Sequence, residues 1–167
     1  MPKTNAFALL APVPEEHLIS GLDAIAAQLD SDDLGAGDVP KVAYGSMEFE
    51  VLAEVEKLRK GYSVEVLIYA SHAQGEQPLK PEVTWRGLYV GCVQSRRGRY
   101  PGKSNVRPKS TASDRATWAM FWEVQELERL KTPIVISTLT GWKKKVPFST
   151  RYFPDAPLLI EYPQLRR

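Results

Sequence analysis

The hydrophobic positions of this chain change period partway along it. An apolar run at 6–11 reads as a short buried strand, ended by Pro12 and Pro14. Glu15 and Glu16 then suit a first helical turn, where negative charge complements the helix dipole. Leu18, Ile19, Leu22, Ile25, Ala26 and Leu29 follow at helical spacing, which predicts an amphipathic helix over 14–29. The acidic, glycine-bearing stretch 30–40 reads as a surface loop. After a brief segment at 42–46, Phe49, Leu52, Ala53, Val55 and Leu58 define a second helix that stops at Gly61.

Beyond Gly61 the period shortens to two. Val64, Val66 and Ile68 alternate with Glu65, Leu67 and Tyr69, a strand buried on much of both faces. A polar turn occupies 73–81. Val83, Trp85, Leu88, Val90, Cys92 and Val93 form a second strand or bent pair, with Gly87 and Gly91 as points of bulge or close approach. Residues 94–116 show no periodicity, and structureless loops of ~20 residues are usually functional or disordered. Over 117–125, Trp118, Met120, Trp122 and Val124 share one face of a strand. A helix through Leu130 is the rival reading, because ELERL favours one. Pro133 opens a further strand or short turn at 134–137, 141–145 is a basic tip, and a last short strand falls at 158–162. Helices early and short strands later make an α+β pattern with a mostly antiparallel sheet, which can curl into a barrel.

Composition narrows the class. The 167 residues, 43% hydrophobic and 25% charged, fit one globular domain over 1–167. No apolar run reaches the ~20 residues of a membrane span, and the apolar stretch at 7–13 is followed by acidic residues rather than a cleavage site. The single Cys92 allows no internal disulfide, so a cytoplasmic setting is expected. With two histidines and one cysteine no metal site is expected, and without a P-loop or nucleophile-elbow motif no cofactor is either.

Charge changes the picture more. The net +2 conceals 7 Lys/Arg against 14 Asp/Glu in 1–95, and 15 against 6 in 96–167. Such segregation suits an anionic partner, or two halves that neutralise each other on folding. Enzymatic readings are weak beside it. Cys92 could pair with His17 or His72, but nothing near it in sequence favours a thiolate. His72, after a strand end, could act as acid or base, yet no carboxylate cluster surrounds it. Asp32, Asp33 and Asp38 lack the spacing of a calcium loop.

The aromatic and basic residues are more informative. Trp85, Tyr89, Trp118, Trp122 and Trp142 interleave with Arg86, Arg96, Arg97, Arg99, Lys103, Arg107, Lys109, Arg115, Lys143, Lys144 and Lys145. Nucleobases stack on aromatic faces for ~1–3 kcal/mol each, and Lys/Arg contacts to phosphate add a salt-dependent share. Tryptophans in strands usually fill cores, so at least two of the four are expected there. Within the basic loop, Gly98, Pro101, Gly102, Ser104, Asn105 and Pro108 are not core-building residues, so its charges are expected to face water or a ligand.

Three segments between about 41 and 140 carry a resemblance: VAYGSMEFEVLAEVEKLRKGYSVEVLIYAS, TWRGLYVGCV and RPKSTASDRATWAMFWEVQELERLKTPIVISTL. Their order resembles the EVE domain and, more broadly, the PUA-like superfamily. The resemblance implies a small, mostly antiparallel β-barrel with flanking helices and an aromatic pocket for a flipped, often modified, nucleobase. It implies that Tyr44, Gly45 and Ser46 end a strand at the pocket mouth, that Tyr69 and Ser71 close a second strand over it, and that Trp118 follows the long loop. Trp85 and Trp122 complete the candidate ligand set. Arg96, Arg97, Arg99, Lys103, Arg107, Lys109, Arg115 and the lysines 143–145 are the candidate contacts to a DNA or RNA backbone. The helix at 14–29 and its acidic loop are longer than the pattern calls for, and the tail after Gly141 has no counterpart in it. The alternatives are a protein-interaction subunit that docks an acidic partner, and a nucleotide-processing enzyme using His72.

Overall fold

The computed structural model of the chain describes residues 2–31, 34–71, 80–112 and 115–164. Strand β1 (Ala8–Pro14) feeds directly into helix α1 (Glu15–Asp30), whose first turn holds Glu15 and Glu16 as the dipole prefers. Strand β2 (Val42–Ser46) and helix α2 (Phe49–Arg59) follow. The second helix ends where Lys60 and Gly61 both turn left-handed, at φ 50° and 83°. Strands β3 (Val64–Ser71) and β4 (Glu82–Gln94) come next, then β5 (Met120–Val135) and the short β6 (Leu158–Ile160). The architecture is α+β, with a six-stranded mixed sheet in the order β2-β5-β4-β3-β1-β6. Only β1 and β3 run parallel.

The sheet does not close into a barrel. Among the named strands β2 pairs with β5 and β6 with β1, and the outer edge of β6 is bridged by residues 140–142 rather than by β2. Side chains take the place of a further strand on the outer edge of β2. Gln28 of α1 donates to the Lys41 carbonyl (2.7 Å) and accepts from the Lys41 N–H (3.1 Å). Arg107 donates to the Ala43 carbonyl at 2.7 Å. These bonds cover backbone groups that an edge would otherwise leave open to another chain. The sheet still curls, because one core cluster joins Leu9, Val42, Val66, Trp85 and Trp122 from five of its strands to Leu18 of α1 and Leu52 of α2. Each such fully buried large apolar side chain contributes about 1.5–3 kcal/mol. A second cluster, around Leu10, Leu67, Val83 and Ile160, fills the other side.

Two readings of proline are corrected. β1 continues through Pro12 to Pro14, paired with β3, because β6 covers only Ala8, Leu9 and Leu10 and leaves the rest of that edge unpaired. Pro133 does not open a new strand. It lies in an irregular stretch within β5, where residues 130–133 stand opposite Thr84 alone. The rival helix through Leu130 does not form. β5 absorbs the excess length at bulges instead, one of which sets Glu126 (φ 53°) and Leu127 opposite Gly87. The register also shifts at Gly91, so both glycines anticipated as bulge points occupy them.

The described residues of the loop at 94–116 are organised, with several of them packed while all of its cations but Arg107 are exposed. Arg96 and Arg99 exchange backbone hydrogen bonds across Arg97 (φ 54°) and Gly98 (φ 79°), a type I′ hairpin turn. Val106 is buried, and with Tyr100 and Trp118 it joins a third cluster around Ala43 and Phe121. Single-turn 3-10 helices at Ser104–Val106 and Lys109–Thr111 rest on α1. The polar spacing hid three anchors, Tyr100, Val106 and Pro108, each isolated among residues that face water.

Candidate functional site

The ends of β1 and β2, three strands apart in the sheet, meet across a cavity of about 340 Å3. Pro12, Val13 and Pro14 form one wall, and Tyr44, Gly45, Ser46, Met47 and Glu48 form the opposite one. His17 of α1, Arg107 and Thr111 of the basic loop, Trp118, Trp122 and residues 155–157 complete the lining. That volume lies within the range of small-molecule sites.

The aromatic wall is fixed from several directions. Tyr44 and Trp122 face each other across the β2–β5 pair with ring centroids 5.3 Å apart. The Tyr44 hydroxyl donates to the His17 carbonyl at 3.0 Å, and burial pushes that phenol well above its ordinary 10.0, so it stays a neutral donor. Trp118 is half-buried and lies flat against Gly45. A Cβ built on Gly45 would stand 2.4–2.5 Å from three atoms of the indole ring. Only glycine permits that approach, which accounts for the YGS sequence at this strand end.

The outer edge of β2 borders the cavity as well. Lys41 and Ala43 direct hydrogen-bonding groups off the outer edge of β2. Strand alternation turns Gly45 N–H and C=O the same way, beside the cavity that Gly45 lines. A donor and an acceptor at peptide spacing can read the edge of a planar heterocycle. Glu48 and Asp155, both exposed, bring carboxylates to the rim, while Arg107 supplies a cation.

α1 holds the loop against this site. His17 Nδ1 and the Ser110 hydroxyl lie 2.7 Å apart, the Ser110 N–H donates to Ser20 Oγ at 3.0 Å, and Gln28 Nε2 reaches the Asn105 carbonyl at 3.1 Å. The Arg107 guanidinium stacks over Phe121, 4.9 Å from the ring centre, while bonding Ala43. Arg107 is therefore half-buried and tied to the fold, whereas Arg96, Arg97, Arg99, Lys103, Lys109 and Arg115 are exposed.

The structure brings together five of the eight candidate ligand residues: Tyr44, Gly45, Ser46, Trp118 and Trp122. It places the other three elsewhere. Trp85 is fully buried in the core, beneath the Arg129 guanidinium. Tyr69 packs in the second cluster against Phe153. Ser71 ends β3 beside Pro14 without lining the cavity. Lys143, Lys144 and Lys145 occupy a turn next to β6, where the Lys143 N–H donates to Glu161, and none of them lines the cavity. Cys92 is half-buried in β4, and burial raises its thiol pKa. His72, Asp32 and Asp33 lie outside the described residues.

Sequence reasoning did not find the wall formed by 12–14, His17 and 155–157. Those segments meet only through the pairing of β1 with β3 and β6, so no local pattern marks them. A groove of about 750 Å3 lies elsewhere, at the β5 irregularity and residues 161–164, but Tyr162 is its only aromatic residue. No protein-family model and no curated protein matches the chain.

Proposed function

We propose that this chain binds a nucleobase of a nucleic acid, in the manner of a PUA-like domain, by taking the base into the cavity between β1 and β2. The observation that carries the reading is the seating of Trp118 on Gly45, which presents an indole at a cavity of about 340 Å3 with strand-edge backbone groups beside it. A base stacked there gains ~1–3 kcal/mol. The Gly45 peptide and the rim carboxylates offer hydrogen bonds to its edge. The exposed cations of 96–115 supply the sequence-independent attraction to phosphate. The same loop supplies Arg107 and Thr111 to the cavity wall and the exposed Arg97 at its turn, which supports base and backbone contacts from one segment.

The test is titration of tryptophan fluorescence with nucleosides and short DNA and RNA oligonucleotides. Quenching by a base that disappears in Trp118→Ala and persists in Trp85→Phe supports the reading. Oligonucleotide affinity that is absent, or insensitive to salt, ends it.

A further inference from the structure

We propose that the chain reads two consecutive nucleotides of a single strand, the second base entering a separate cleft beyond Trp118. This inference rests on the base-binding reading above and names the substrate that the reading left open. A cavity of about 500 Å3 lies between α1 and the 98–112 segment. Trp118, Arg107 and Thr111 line both this cleft and the base cavity, so they form the partition between the two.

The cleft has an aromatic platform of its own. The Tyr100 ring lies against Gly102, where an added Cβ would come within 2.6 Å of it. Its hydroxyl donates to Glu123 at 2.5 Å, and its ring meets Phe121 edge-on with centroids 5.4 Å apart. Tyr100 is thereby held in one orientation before any ligand arrives. As with Trp118 on Gly45, an aromatic side chain lies close against a glycine at the wall of a cavity, here through the hydroxyl end of the Tyr100 ring.

Helix α1 contributes only methyl groups here, from Ala24 and Ala27. Larger side chains at those positions would fill the space. The remaining surface is chemically matched to a nucleotide, with aromatic walls and the cations Arg99 and Lys109. Arg107 sits where the cavities meet, its guanidinium fixed by the Ala43 carbonyl and the Phe121 ring. A phosphodiester joining two bases, one in each cavity, passes that point. A single strand satisfies this geometry directly. A duplex must unpair two adjacent bases, at a cost of a few kcal/mol.

The experiment is calorimetric titration of the full chain with ribo- and deoxyribo-dinucleoside monophosphates, carrying unmodified or methylated bases, each compared with its component nucleosides at one salt concentration. The best dinucleotide should bind about tenfold more tightly than its better component nucleoside. Ala27→Phe, on an exposed helix position, should abolish that gain and leave nucleoside affinity unchanged. Ala27→Leu serves the same purpose if the phenylalanine variant does not fold. Nucleoside binding without any dinucleotide gain, or a gain that survives the filled cleft, overturns the inference and leaves the base cavity standing. Absence of both overturns the base-binding reading and this inference with it. An acidic peptide that binds the wild type and loses its affinity in Ala27→Phe, where nucleotides do not compete with it, also overturns the proposal.

Discussion

Gly45→Ala tests the site through its tightest contact. The new methyl would lie 2.4–2.5 Å from the indole of Trp118. To restore ordinary contact near 3.5 Å the ring must retreat by about 1 Å. Overpacking of this kind costs ~1–3 kcal/mol. The backbone at Gly45 is not left-handed, so alanine also gains ~0.4–1 kcal/mol by restricting the unfolded chain. The net loss is about 1–2 kcal/mol, a Tm decrease of roughly 2–8 °C for a chain of this size. In a Trp118→Ala background the clash vanishes and only the unfolded-state gain remains. There the same substitution should stabilise by about 0.5 kcal/mol. Thermal and urea melts of the four proteins in this double-mutant cycle measure the coupling directly. A Gly45→Ala effect of the same sign and size in both backgrounds refutes the idea that glycine is there to seat the indole. If Trp118 is the stacking surface, Gly45→Ala should also weaken base binding about tenfold, since the ring no longer sits in its preset position.

Simultaneous replacement of Arg97, Arg99 and Lys103 by alanine should weaken oligonucleotide binding and flatten its log–log salt slope by about 2, checked by anisotropy titrations across salt concentrations. Trp85→Phe should lower the Tm through the space it leaves in the core, where Trp85 is fully buried, and should leave ligand affinity unchanged because Trp85 does not line the cavity. Glu65→Gln should cost about 3 kcal/mol in urea melts, because the buried carboxylate holds Arg86 through two 2.6 Å contacts as well as Lys3 at 3.1 Å. Stability should fall as pH rises past 9.0–10.0: burial raises the folded-state pKa values of Cys92, Tyr44 and Tyr89, so the unfolded chain loses those protons first and is favoured at high pH, as pH-dependent urea melts would record.

Much of the fold was legible because local periodicity and tertiary demand agree over its core elements. Both helices form, but only part of each apolar stripe is buried: α1 buries Leu18, Gly21, Ala24 and Gln28 and leaves Ile19 and Leu29 exposed, while α2 buries Leu52 and Val55 and leaves Phe49 exposed. β3 is apolar except at Glu65 and Ser71, and it lies inside the sheet, paired with β4 over 64–68 and with β1 over 66–71. Legibility failed where pairing over long distances decided the outcome. Pro12 and Pro133 look like terminators, yet each sits in a strand where no ladder bond is lost. The barrel reading failed for a related reason, since β2 satisfies its outer edge with Gln28 and Arg107. At the site, the YGS strand end, Trp118 and Trp122 entered as what the family resemblance implies or as aromatic residues among basic ones, and the cavity gathers them, whereas Trp85 belongs to the core. The proline wall and His17 were not legible, because their approach depends on curvature that no short segment encodes.

The placement of β1 carries a consequence for how the chain is made. Residues 8–14 are the first to form a strand, yet they end up between β3 and the last strand, with Ala8 opposite Ile160. A ribosome-bound chain can pair β1 with β3 early, but the other edge of β1 stays uncovered until residues 158–160 have emerged. Until then the nascent protein exposes the edge of Ala8, Leu9 and Leu10 to any strand-forming neighbour. Pairing with β6 therefore also removes an edge at which another chain could dock during synthesis.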